Sequence, residues 1–149
     1  MTKSEIIAEA GKLNAASEKS VMEYESKSAH LVVLINKHLE TRTDIYSLIG
    51  QDNLPMMRDN HLNHTKFMTA AMKNFNPQVL VETILWVLRA YKSHGFSSGY
   101  WDVQLNGWLS ILSSELSKET GAEILPFYQW MLSYIPHLDK LSAETPETE

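Results

Sequence analysis

From Ile6 to Ile135 the apolar residues of this chain recur three and four positions apart, and no stretch alternates apolar with polar or carries the Asn-Gly signal of a tight hairpin. A chain with that single period packs as helices, because each helix then presents one stripe that water disfavours. The expected fold class is all-α. A length of 149 residues suits one domain with a sizeable core.

The punctuation divides this pattern into about seven helices. Ser4 can cap a first helix reaching about residue 26, with Ile6, Ile7, Ala10, Leu13, Val21 and Met22 inward and a weakly apolar middle at residues 14–19. A second spans about residues 28–40 with Leu31, Leu34, Ile35 and His38, and a short third over Ile45, Leu48 and Ile49 ends at Gly50. Asp52 or Asn53 opens a fourth with Pro55 in its first turn, and Asn76 and Pro77 open a fifth that Gly95 closes. Ser98 starts the sixth, and the seventh begins near Gly121, with Pro136 discouraging its continuation.

Composition narrows the function. Thirteen basic against 18 acidic residues give a net charge of −5, with no Lys/Arg-rich run to meet a phosphate backbone, so nucleic acid is not expected as a partner. The absence of cysteine removes disulfides, thiolate nucleophiles and Cys-ligated metals together. The start, MTKSEIIAEAGK, has no hydrophobic leader core, and no apolar run approaches a membrane span, so a cytoplasmic protein without membrane attachment is expected. Residues 1–140 form the expected domain. Residues 141–149, with the acidic run SAETPETE from Ser142, form an expected disordered linker or tail toward a downstream domain.

Chemistry concentrates on two stripes. Met57, His61, His64, Met68, Ala71 and Phe75 line one face of the fourth helix, and Leu80, Ile84, Val87, Tyr91 and His94 one face of the fifth. A histidine on an apolar face needs a hydrogen bond or a metal, since an unpaired buried polar group costs about 1–3 kcal/mol. The interval between His64 and His94 would set two imidazoles across a pocket that holds haem b, with His94 as iron ligand and His64, or His61 one turn earlier, opposite it. Phe67, Met68 and Tyr91 would wall a flat macrocycle, and Arg89 and Lys92 could pair with its carboxylates. The same histidines equally suit hydrogen-bonded core or rim positions, and the same pocket would take another metal or tetrapyrrole, although without cysteine a bilin has no thiol to attach to.

Enzymatic constellations are missing. There is no Glu-x-x-His pair, no His-Glu-x-x-His, no Gly-x-Ser-x-Gly elbow and no Gly-rich phosphate loop, so turnover is not expected. Trp101, Trp108, Tyr128, Trp130 and Tyr134 load the last two helices with aromatic surface, enough for a dimer seam or a self-contained aromatic core.

In this order of elements the chain resembles a globin: a helix carrying His64, a turn, a helix ending in His94, a corner from Phe96 to Tyr100, then two long final helices. The resemblance implies His94 as proximal ligand, His64 or His61 as the distal group, and Tyr46 in place of the Phe that packs on haem after the third helix. The acidic tail and the aromatic final helices are similar to sensor globins, in particular the N-terminal domain of stressosome scaffold proteins. That resemblance implies a sensor of a diatomic gas, oxygen, or of redox state in the stress response, signalling through a homodimer of its last two helices. Some members of that group bind no haem, so a haem-free regulatory or interaction module is the alternative it implies.

Overall fold

A computed structural model describes residues 1–144. Its elements are α1 (Lys3–Ala10), α2 (Glu18–Glu40), α3 (Ile45–Ile49), α4 (Leu54–Lys73), α5 (Pro77–Ser93), α6 (Gly99–Glu115) and α7 (Lys118–Ser142). Seven helices and no strand, among the described residues, make an all-α bundle. No helix among them is long and apolar enough to cross a membrane. Most of the expected tail, residues 145–149, lies outside the described residues.

Three boundaries differ from expectation, each for a local reason. The first long helix breaks after Ala10, and α2 starts afresh at Ser17, whose hydroxyl accepts a hydrogen bond from the Ser20 N–H. The expected break near Ser28 does not occur: burial of Tyr24 and Leu31 on either side keeps the helix continuous, and the Ser28 hydroxyl is satisfied within it by donating to the Tyr24 carbonyl one turn back. Likewise α7 runs through Pro136 to Ser142. Burial of Ile135, Leu138 and Ser142 holds that segment helical despite the missing N–H.

Elsewhere the signals divide: Thr2 rather than Ser4 caps α1, and Asn53 and Ser98 precede α4 and α6 without a side-chain cap hydrogen bond, whereas both ends of α5 act as expected. The Asn76 side chain accepts from the Val79 N–H at the start of α5, with Pro77 at the first position. At the other end, Gly95 has φ +98°, its N–H donates to the Lys92 carbonyl, and the Phe96 N–H donates to the Tyr91 carbonyl. This is a Schellman termination, completed by the Tyr91 and Phe96 rings with centroids 5.0 Å apart.

Packing then arranges the layers. α2 lies against α4, α6 and α7, α6 packs along α7, and α1 and α7 both pack on α5. Gly107 permits the close approach of α6 to α2, since a Cβ there would stand 2.8 Å from the His38 ring and 3.0 Å from Ile35 Cδ1. Trp101, Trp108, Tyr128 and Trp130 are buried within the single chain, so most of the aromatic surface of the last two helices fills its own core. α4 and α5, by contrast, scarcely touch.

Candidate functional site

The gap between α4 and α5, floored by α6 and α7, is a cleft of about 280 Å³. α4 contributes Asn60, Asn63, His64 and Phe67, and α5 contributes Thr83, Ile84, Trp86, Val87, Leu88 and Tyr91. Trp101, Gln104 and Leu105 come from α6, and Met131 and Ile135 from α7. The wall is mostly apolar and contains no Lys, Arg, Asp or Glu. Trp86, 68 % exposed, stands at its rim.

The α4 histidines arise from the helical period: His61 and His64 are one turn apart and both turn toward the bundle. His61 is fully buried, with Nδ1 2.6 Å from Asn36 Oδ1 and Nε2 3.0 Å from the Tyr100 hydroxyl. Tyr100 in turn donates to Asn60 Oδ1 at 2.8 Å, and Gln104 Nε2 donates to the same oxygen at 2.8 Å. His64 lies face to face with Trp108, ring centroids 5.0 Å apart, and its Nε2 is 2.8 Å from the Tyr128 hydroxyl. Tyr128 is 2.7 Å from the Tyr24 hydroxyl.

Burial governs the protonation of this cluster. Desolvation holds the His61 imidazole down to about 3, with a smaller contribution from neighbouring His64, and desolvation alone holds His64 at about 3. Both are therefore neutral at pH 7. Burial also pushes the Tyr24, Tyr100 and Tyr128 phenols up, so the hydroxyls stay protonated. The Trp108 indole N–H is buried without an acceptor, a cost that its packing against both histidine rings must offset.

Of the residues singled out from sequence, the cleft brings together His64, Phe67 and Tyr91. His61 and Met68 sit in the core beneath it, and Tyr46 on α3 is 45 % exposed and takes no part. His94 requires a correction: it is exposed. Seven residues beyond Val87 it keeps the same azimuth but lies about 10 Å further along the axis, past the end of the cleft wall at Tyr91. It is also the cap residue of α5, and its carbonyl is held by Asn53 Nδ2 at 2.8 Å. Arg89 and Lys92 turn to α7 instead of the cleft, Arg89 toward the Ser142 carbonyl and Lys92 toward Asp139 at 3.2 Å.

A haem ligated through His94 does not fit these residues. The α5 wall offers no imidazole, and His64 has Nε2 committed to Tyr128. An apolar cavity of about 150 Å³ holds benzene, so a cleft of about 280 Å³ suits two fused rings rather than a tetrapyrrole. No group of three or more His, Cys, Asp or Glu side chains among the described residues is placed to hold a metal ion.

Sequence reasoning missed Asn60, Gln104 and Trp86. Gln104 carried a signal, being a polar residue one turn from both Trp101 and Trp108 on an otherwise apolar face. Compared with models of known families, with curated proteins and with solved structures, the chain matches none.

Proposed function

We propose that this chain is a haem-free sensory module, similar in plan to a sensor globin, that binds a small apolar molecule between α4 and α5 and signals its presence to a partner. The observation that carries this is the cleft itself: two long helices held apart by their neighbours, with apolar walls, a rim tryptophan and a few polar groups deep inside. Concave, mainly apolar sites with sparse polar groups are the usual form of small-molecule pockets.

Occupancy has a physical route outward. His64 touches the cleft and connects through Tyr128 on α7 to Tyr24 on α2, so a ligand that shifts the imidazole also shifts a buried chain of hydrogen bonds between two core helices. Signalling through a homodimer belongs to the same proposal.

Naphthalene, a two-ring hydrocarbon, tests the binding step. It is expected to raise the melting temperature and to quench tryptophan emission, with the quenching reduced in Trp86→Phe. Haemin added to the same protein is expected to give no Soret band that depends on His94. A folded protein that binds neither naphthalene nor its hydroxyl and carboxylate derivatives, or a Soret band abolished by His94→Ala, would refute the proposal.

A further inference from the structure

The polar atoms of the cleft wall specify more than its shape. Within the chain Tyr24–Tyr128–His64 all three groups can donate, so the direction of the protons is decided by which hydrogen would be left without an acceptor. If His64 Nε2 donated to Tyr128 and Tyr128 to Tyr24, the Tyr24 hydroxyl hydrogen would have no acceptor in a fully buried site, at a cost of about 1–3 kcal/mol. In the reverse order Tyr24 donates to Tyr128, Tyr128 donates to His64 Nε2, and every hydrogen of the two phenols is satisfied. The neutral imidazole then carries its proton on Nδ1, which makes no hydrogen bond within the protein. His64 thus presents an N–H donor at the cleft.

Gln104 supplies the opposite group. It is 2 % exposed, and its Nε2 is fixed by Asn60 Oδ1 at 2.8 Å and the Tyr100 hydroxyl at 3.3 Å. That orientation leaves Oε1, an acceptor, with no partner inside the protein although the residue lines the cleft. A donor and an acceptor stand in a wall with no cation to balance an anion and no carboxylate to balance a cation.

We propose that the ligand is a neutral, ring-bearing molecule of about two fused rings whose hydroxyl or carboxamide pairs with His64 Nδ1–H and Gln104 Oε1, and that the site rejects the corresponding carboxylate. This rests on the small-molecule reading above and narrows it to a chemical class. Phe67, Trp86, Tyr91 and Trp101 provide the aromatic surfaces for such rings.

Three matched probes test it on the whole chain by calorimetry at pH 7.5: naphthalene, 2-naphthol and 2-naphthoate. 2-Naphthol is expected to bind about tenfold more tightly than naphthalene, the effect of one well-made hydrogen bond, and 2-naphthoate at least tenfold more weakly than 2-naphthol. In His64→Leu the advantage of 2-naphthol over naphthalene should fall below about twofold. Thr83→Lys, placed on the half-buried α5 wall, should admit 2-naphthoate and tests the charge argument without touching the buried network. Naphthoate binding as tightly as naphthol, no preference between naphthol and naphthalene, or no gain in Thr83→Lys would each overturn the neutral-ligand proposal. Failure of all three probes to bind the folded protein would instead overturn the small-molecule reading beneath it.

Discussion

His64 Nε2 stands 2.8 Å from the Tyr128 hydroxyl, so an imidazole that the sequence marks as a cofactor contact is held instead by a phenol on α7. That bond joins the cleft to the centre of the bundle, because Tyr128 continues to Tyr24 at 2.7 Å. The pairing satisfies three buried polar groups at once, and its removal has a definite cost.

Tyr128→Phe deprives both His64 and Tyr24 of their partner and is expected to destabilise the fold by about 2–4 kcal/mol, whereas Tyr24→Phe removes one end only and should cost about 1–2 kcal/mol. In the double variant the loss should be smaller than the sum of the two, since Tyr24 no longer leaves an orphan hydroxyl. Urea unfolding of the four proteins measures this. Strict additivity would show that the phenols act independently.

Glu23 and Glu123 exchange helix caps. Glu23 on α2 accepts from the Ser117 N–H and hydroxyl, each at 2.7 Å, and from the Thr120 hydroxyl at 2.8 Å, while Glu123 on α7 accepts from the Ser17 N–H at 2.7 Å, the Ser17 hydroxyl at 2.9 Å and the Ser20 hydroxyl. The two Ser-x-x-Ser/Thr-x-x-Glu segments thus tie the starts of α2 and α7 together, with the backbone bond from Ser117 as the largest cause holding the Glu23 carboxyl down to about 2. Loss of either carboxylate by Glu→Ala is expected to cost about 0.5–2 kcal/mol, read as a lower urea midpoint with an unchanged slope.

Acid should unfold the protein from a higher pH than carboxylates alone would explain. His61 and His64 hold their native values near 3, and in the unfolded chain they return to the ordinary value of 6.5. The unfolded state therefore binds more protons throughout that interval, and stability, at its full value above about pH 6.5, falls as pH drops toward 3. The slope is at most about 1.4 kcal/mol per pH unit for each histidine. Glu23 adds its part only below its ordinary value of 4.5, so the decline between pH 6.5 and 4.5 isolates the histidines. His64→Leu should flatten it; an unchanged slope in that variant would remove His64 as a cause.

Gly107→Ala places a methyl group against the His38 ring and Ile35, at 2.8 Å and 3.0 Å before any adjustment. The exposed His38 ring can swing aside, but Ile35 is fully buried and must repack, so the substitution is expected to cost about 1–3 kcal/mol. His94→Ala, at an exposed cap residue, should change stability by no more than about 0.5 kcal/mol. Thermal unfolding of both distinguishes a packed contact from a surface one.

The sequence by itself determined the all-α class, the number of helices and most of their ends, because these depend on neighbours within a turn: the period that places Leu31, Ile35 and Leu39 on one face, Asn76 and Pro77 at a start, Gly95 at a stop. It also marked His64, Phe67 and Tyr91 as facing a common space. Only the tertiary structure decided that α4 and α5 stand apart, that His94 falls beyond the cleft they leave, that Tyr128 holds His64 from behind, and that Gln104 joins His64 at the wall. Helical period gives a residue's azimuth, but the axial position at which two helices meet is set by the partners that pack around them, and those lie scores of residues away in the chain.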